Sequence, residues 1–191
     1  SEVRESPTRS VSFSEEVRLL NWDIPAPVVA QKGDLYLDVW LTAGMHGEDF
    51  RFYVLLDDGN GREHIAALPP GYDWYTPAEW EAEEVFHGRF DFRLPEHLEP
   101  GQYDIGFLVI DSESGGVVSL QDTASSERSV DGAVYFSDAL EITTKEAAHD
   151  AAGDDFERAL GHAKTGDCAS SWKAWREARY HVWRDISWRA D

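Results

Sequence analysis

Seven histidines, His46, His64, His87, His97, His149, His162 and His181, and one cysteine, Cys168, stand among 37 carboxylates in this chain. Each residue type has a chemistry to test. Zinc wants nitrogen and sulfur ligands at short, ordered spacings. No two histidines here fall at i, i+2 or i, i+4, and no H-E-x-x-H run occurs. A calcium loop wants oxygens in order. Asp57, Asp58 and Asn60 crowd one turn, with Glu48 and Asp49 upstream, but without that order, and "DDGNG" reads as a hairpin turn. Paired carboxylates hydrolyse glycosidic bonds at set separations, yet among 37 acids some pairs fall there by chance. Cys168 follows a helix start, a position that favours thiolate chemistry. The reading taken is a small, buried apolar group where two helices pack. There is no G-x-S-x-G elbow, no phosphate-binding loop and no glycine-rich dinucleotide turn. The expectation is a protein without catalytic residues, metal or cofactor.

Aromatic residues are the stronger lead. Tyr36, Trp40 and Tyr53 lie opposite the Leu, Val and Phe stripes of their segments, and "GYDWYTPAEW" adds Tyr72, Trp74, Tyr75 and Trp80 in a loop. Flat rings with polar rims stack on sugar faces and also anchor protein interfaces. A third use is intramolecular, with a tryptophan-rich helix near the C-terminus covering that sheet face. The intramolecular use is the first expectation, and the two binding uses stay open beside it.

These rings must be positioned by strands. Up to about Thr143 the apolar period is close to 2, and beyond it close to 3.6. Leu35, Leu37, Val39 and Leu41 share a face of "DLYLDVWL", as do Phe50, Phe52, Val54 and Leu56 of "FRFYVLL". In "EVFHGRFDFRL", Phe86, Phe90, Phe92 and Leu94 oppose His87, Arg89, Asp91 and Arg93. Val17 to Ile24, "REHIAAL", "QYDIGFLVI" and "GAVYFSDALEI" complete the strands, with a polar segment from Gln121 to Asp131. The stretch "LPEHLEPGQ" is a proline-fixed loop, so its carboxylates and His97 are solvated, and "DSESGG" is a turn into a returning "VVSL". Seven or eight such strands predict an antiparallel β-sandwich, immunoglobulin-like or jelly-roll.

After Thr143 two helices are expected. Thr143 and Glu146 offer a capping box, Gly153 argues for a start nearer Asp154, and Ala148, Ala152, Phe156, Ala159 and Ala163 share a face. Gly166 ends the first helix and Asp167 caps the second, on which Trp172, Trp175, Val182 and Ile186 form one stripe. The organisation predicted is a sandwich over 1–143 and a helical hairpin over 144–191, packed on it.

The net charge of −20 is uneven: 1–143 holds 9 basic and 28 acidic residues, net −19, and 144–191 holds 8 and 9, net −1. So acidic a surface repels phosphate backbones and anionic lipid, which argues against nucleic acid. Only 4 of the 17 basic residues are lysine, a composition similar to that of proteins from salt-loving bacteria and equally that of a solubilising acidic surface. No apolar run reaches the roughly 18 residues that span a bilayer, and one cysteine allows no internal disulfide.

Thr76, Pro77, Trp80, the Leu94–Pro95 pair, Pro100, Gly101, Tyr103 and the Asp111–Gly116 turn carry a resemblance over Leu19–Thr143. It is to the soluble β-sandwich domain of bacterial dolichyl-phosphate-mannose-type glycosyltransferases and to accessory sandwiches of secreted sugar-processing enzymes. "ALGHAKTGDCASSWKAWREARYH" looks like one tetratricopeptide-type hairpin, which cannot bury its own face alone. The resemblance implies a non-enzymatic accessory module, associated with carbohydrate or the cell envelope. Its implied location is extracytoplasmic, periplasmic or secreted, with the cytoplasm as the alternative. A protein–protein assembly role through the tryptophan-rich helices is the other reading, and the oligomeric state is open.

Overall fold

The computed structural model describes residues 10–14, 17–43, 50–60, 63–68, 77–81, 84–121 and 128–175. Ten strands come first: β1 (Val11–Ser12), β2 (Val17–Asp23), β3 (Val28–Ala30), β4 (Asp34–Ala43), β5 (Phe50–Asp57), β6 (Glu63–Leu68), β7 (Val85–Arg93), β8 (Gly101–Asp111), β9 (Arg128–Val130) and β10 (Ala133–Thr143). A 3-10 turn at Pro77–Glu79 precedes β7, and helix α1 (Lys145–Lys164) follows β10. A second helix, α2, occupies 168–175.

The strands form two sheets, β1-β2-β4-β7 and β3-β10-β8-β5-β6, with β9 added along β10. Pairing is antiparallel except for β3, which lies parallel to β10 with Val29 opposite Ile142. An early strand that crosses to lie parallel to the last one, beside the order β10-β8-β5-β6, gives the immunoglobulin-like sandwich rather than the jelly-roll. Among the described residues no helix is long and apolar enough to cross a membrane.

Two compact units make up the chain. The first comprises Ser1–Asp23, Asp38–Phe90 and Tyr103–Ala139; the second comprises Ile24–Leu37, Asp91–Gln102 and Leu140–Asp191. In the first, the two-residue period does what the sequence demands. Phe52, Val54 and Leu56 on β5 and Ile105, Phe107 and Val109 on β8 are buried, in register through Phe52↔Val109 and Val54↔Phe107. A β-bulge between Leu19 and Asn21 shifts the phase of β2, so that Leu19 and Trp22, three apart, both turn inward. Trp22 then meets Phe136 at 5.0 Å and Phe107 at 5.7 Å between ring centroids, while Phe107 stacks on Phe52 at 5.5 Å. Each such ring contributes about 1.5–3 kcal/mol by leaving water.

In the second unit the corner 95–100 is fastened by its backbone. Leu94 N–H donates to the Gly33 carbonyl and Gln31 Nε2 to the Leu98 carbonyl, and Leu98 is 2% exposed. The carboxylate of Glu96 takes an exposed ion pair with Lys32, and the His97 side chain is exposed.

The helices correct several expectations. The N-cap is Thr144, whose hydroxyl accepts from Ala147 N–H, not Thr143. Thr143 is the last residue of the β10 ladder, and its carbonyl takes the Gln31 N–H, so the next threonine is the first free to cap. Helix α1 runs unbroken through Gly153. Ala148, Ala152 and Ala159 are buried on the helix that packs against β3, and that burial outweighs the ~1 kcal/mol cost of a helical glycine. Phe156 is not part of the buried face, at 48% exposure, and Ala163 is exposed. Gly166 does end α1, at φ +78°, and the Asp167 carboxylate caps α2 by accepting from Ser170 N–H. On α2 the buried residue is Ala174, while Trp172 is 62% exposed and Trp175 37%. Cys168 is exposed, not buried, because the α1–α2 contact is made one turn further on, where Ser171 Oγ donates to the Ala159 carbonyl. Val182 and Ile186 lie outside the described residues.

Candidate functional site

On β4 the residues out of phase with the Leu35–Leu41 stripe point away from the core. Among them Asp38 is the buried charged residue, at 2% exposure. Burying a carboxylate costs several kcal/mol unless it is paired and hydrogen-bonded, so its partners define a site. They come from β7, about fifty residues away and adjacent in the sheet. Arg89 donates Nε to Asp38 Oδ1 at 2.8 Å and Nη2 to Oδ2 at 3.2 Å, a bidentate fork. His87 Nε2 lies 3.3 Å from the same Oδ1. The His87 ring stacks on Trp40, with centroids 4.5 Å apart and planes 3° apart. Trp40 follows Asp38 by two residues, so the tetrad Asp38, Trp40, His87 and Arg89 occupies one outward patch across two neighbouring strands.

Register explains why a clamp is needed. Asp38 stands directly opposite Asp23 of β2, a like-charge cross-strand pair that is unfavourable by itself. The Arg89 fork supplies the opposite charge. His87 and Arg89 remain 44% and 55% exposed at their side chains. The patch therefore presents an aromatic stack beside fixed polar groups whose geometry is held from below by a carboxylate out of water.

The outer face of the other sheet carries a parallel device. Asp57 stands opposite Asp104, and Arg128 donates to both, at 3.3 Å for Asp104. Its guanidinium lies 4.2 Å over the Tyr135 ring and is held above its ordinary pKa chiefly by the hydrogen bond to Asp57. Tyr135 in turn lies flat over Gly106, where a Cβ would come within 2.7 Å of the ring. Leu55, Ala133 and Tyr135 make a small buried cluster there. Asp57 and Asp58 accept the Gly59 and Asn60 backbone N–H groups, the use a hairpin turn makes of such residues.

The aromatic candidates separate. Trp40 joins the polar tetrad. Tyr53 is half-buried on β5 of the other sheet, and Tyr36 is half-buried on β4 within the second compact unit. Trp80 is 5% exposed: its ring stacks on Phe86 at 4.9 Å and meets Phe50 edge-on at 6.1 Å, so both neighbours occupy surfaces a ligand would need. Tyr72, Trp74 and Tyr75 lie outside the described residues. Asp38, His87 and Arg89 were not singled out from sequence. The available signal was an acid in phase with two aromatics on β4, and His and Arg two apart on one face of β7.

The strand order and the patch define an immunoglobulin-like sandwich with a polar-aromatic outer face. No family model matches the chain, and no curated protein matches it in sequence. Among solved structures, the chain is similar to a Niemann-Pick type C2 protein from the Japanese carpenter ant, at 8% identity and TM-score 0.45, over 68% of this chain and 95% of that one. It is similar to the C-terminal domain of wzt at 12% identity and TM-score 0.48, over 73% and 80%. A CARDB domain from Pyrococcus furiosus aligns at 12% identity and TM-score 0.36, over 73% and 99%.

Proposed function

We propose that the chain is a non-enzymatic binding module that takes carbohydrate on the outer face of β4 and β7. The observation that carries this reading is the Trp40–His87 stack fixed beside the Arg89–Asp38 fork. Sugar recognition needs an aromatic surface for the C–H face and rigid donors and acceptors for the hydroxyls. Those groups stand together here, and their rotamers are locked by one another before a ligand arrives, which reduces the ordering cost of binding. The resemblance to accessory sandwiches of sugar-processing enzymes supports the same reading and an extracytoplasmic location. The acidic surface fits a neutral glycan better than a polyanion.

Titration with a panel of soluble oligosaccharides, followed by tryptophan fluorescence and calorimetry, tests it. Binding by at least one neutral glycan is expected, and it is lost in Trp40→Ala. Binding by none, or binding that Trp40→Ala leaves intact, refutes the assignment to this face.

A further inference from the structure

The hairpin of α1 and α2 carries large apolar groups in water: Phe156 at 48% and Leu160 at 46% on α1, Trp172 at 62% and Trp175 at 37% on α2. Phe156 and Leu160 are one turn apart and form a stripe. The two tryptophans stack on each other at 5.0 Å, a preformed double ring. Large apolar groups exposed together on one helical hairpin mark an interaction site, and tryptophan is prominent among residues that dominate such contacts.

We infer that this face pairs with the same face of a second copy of the chain. Charge selects that occupant. The segment 1–143 has a net charge of −19, so any approach of two copies through it is repelled, whereas 144–191 is close to neutral at −1. Within the hairpin the charge is divided. Helix α1 carries 5 acidic and 3 basic residues, while 168–175 carries Lys173 and no acid. Seating α2 of one copy on α1 of the other joins Lys173 and the tryptophan pair to Phe156, Leu160 and the adjoining Glu157. One chain carries both halves of the contact, so a two-fold axis satisfies both at once.

Two glycines add a packing reason. Gly153 and Gly161 lie within α1, and among the described residues nothing beyond the helix itself comes within 4 Å of a Cβ built on either. Glycine weakens a helix interior, and no neighbour among the described residues uses the space. Next to Phe156 and Leu160, they leave shallow notches in which a partner's indole rings fit against bare backbone.

Sedimentation of the full chain over a concentration series tests this. A reversible dimer is expected. Trp172→Ala raises its dissociation constant by at least about thirtyfold, with thermal unfolding of the dilute, monomeric chain unchanged. Gly153→Ala with Gly161→Ala strengthens the isolated helix yet weakens the dimer, a combination that a purely structural role for the glycines does not produce. A wild-type monomer at every concentration overturns the inference, as does a dimer that Trp172→Ala leaves equally tight. Both readouts are independent of carbohydrate binding.

Discussion

Replacing Arg128 by alanine removes one cation from three partners. Its side chain is 44% exposed, over carboxylates that are 13% and 23% exposed, so each ion pair is held to the surface range of about 0.2–1 kcal/mol. The contact over Tyr135 adds about 0.5–1 kcal/mol at an exposed site. Uncovering Asp57 and Asp104, directly opposite in register, costs about 0.2–1 kcal/mol more. With solvent screening the expected loss is about 1–2 kcal/mol, or roughly 2–8 °C in Tm for a chain of this size. The assay is thermal unfolding of four proteins: wild type, Arg128→Ala, Asp57→Asn and the double variant. If the charge clamp is real, the cost of losing Arg128 shrinks when Asp57 is already neutral. It shrinks again in about 1 M salt, where the screening length is ~3 Å. An equal cost in both backgrounds and at both salt concentrations would refute the reasoning and leave only ring packing.

Three further outcomes are expected. Arg89→Ala leaves Asp38 buried with, among the described residues, the exposed His87 beside its carboxylate and should lower stability by about 1–3 kcal/mol, less than a fully buried pair because Arg89 is half-exposed; Asp38→Asn in that background should recover part of it in denaturant titration. Gly106→Ala drives a methyl into the Tyr135 ring and to 3.2 Å from Leu55 Cβ, and should cost about 1–3 kcal/mol by overpacking, relieved by Tyr135→Leu. Hydrogen bonds from Ser170, aided by His162, hold Asp167 below its ordinary pKa of 3.8; a depressed carboxylate stabilises fully above that value and the contribution fades as pH falls through the lowered one. The protection of the α2 amides, measured against their intrinsic exchange rates, should therefore fall below about pH 4, and Asp167→Asn should flatten that dependence.

Strands with one buried face were legible because their rhythm is a consequence of the pleat. Leu35 to Leu41 and Phe50 to Leu56 need no partner to reveal which side is wet. Short strands were not legible: β1, β3 and β9 span two or three residues each, too few for a period, and they exist because a longer strand offers them a ladder edge. The cap moved by one residue because Thr143 is already committed to β10, a competition invisible along the chain. The site was legible by half. Trp40 stood out as an aromatic on a polar face, but Asp38 looked like any solvated acid. Its burial is created by Arg89 and His87, which only the alignment of β4 and β7 brings across the sheet.

The reading of the outer face as a glycan platform is tested most directly by nuclear magnetic resonance of the nitrogen-labelled chain during addition of a bound oligosaccharide. Shifts concentrated on the Trp40 indole N–H, the Arg89 Nε–H and the amides of β4 and β7 are expected. Saturable binding whose shifts fall elsewhere, with those signals unmoved, would contradict it.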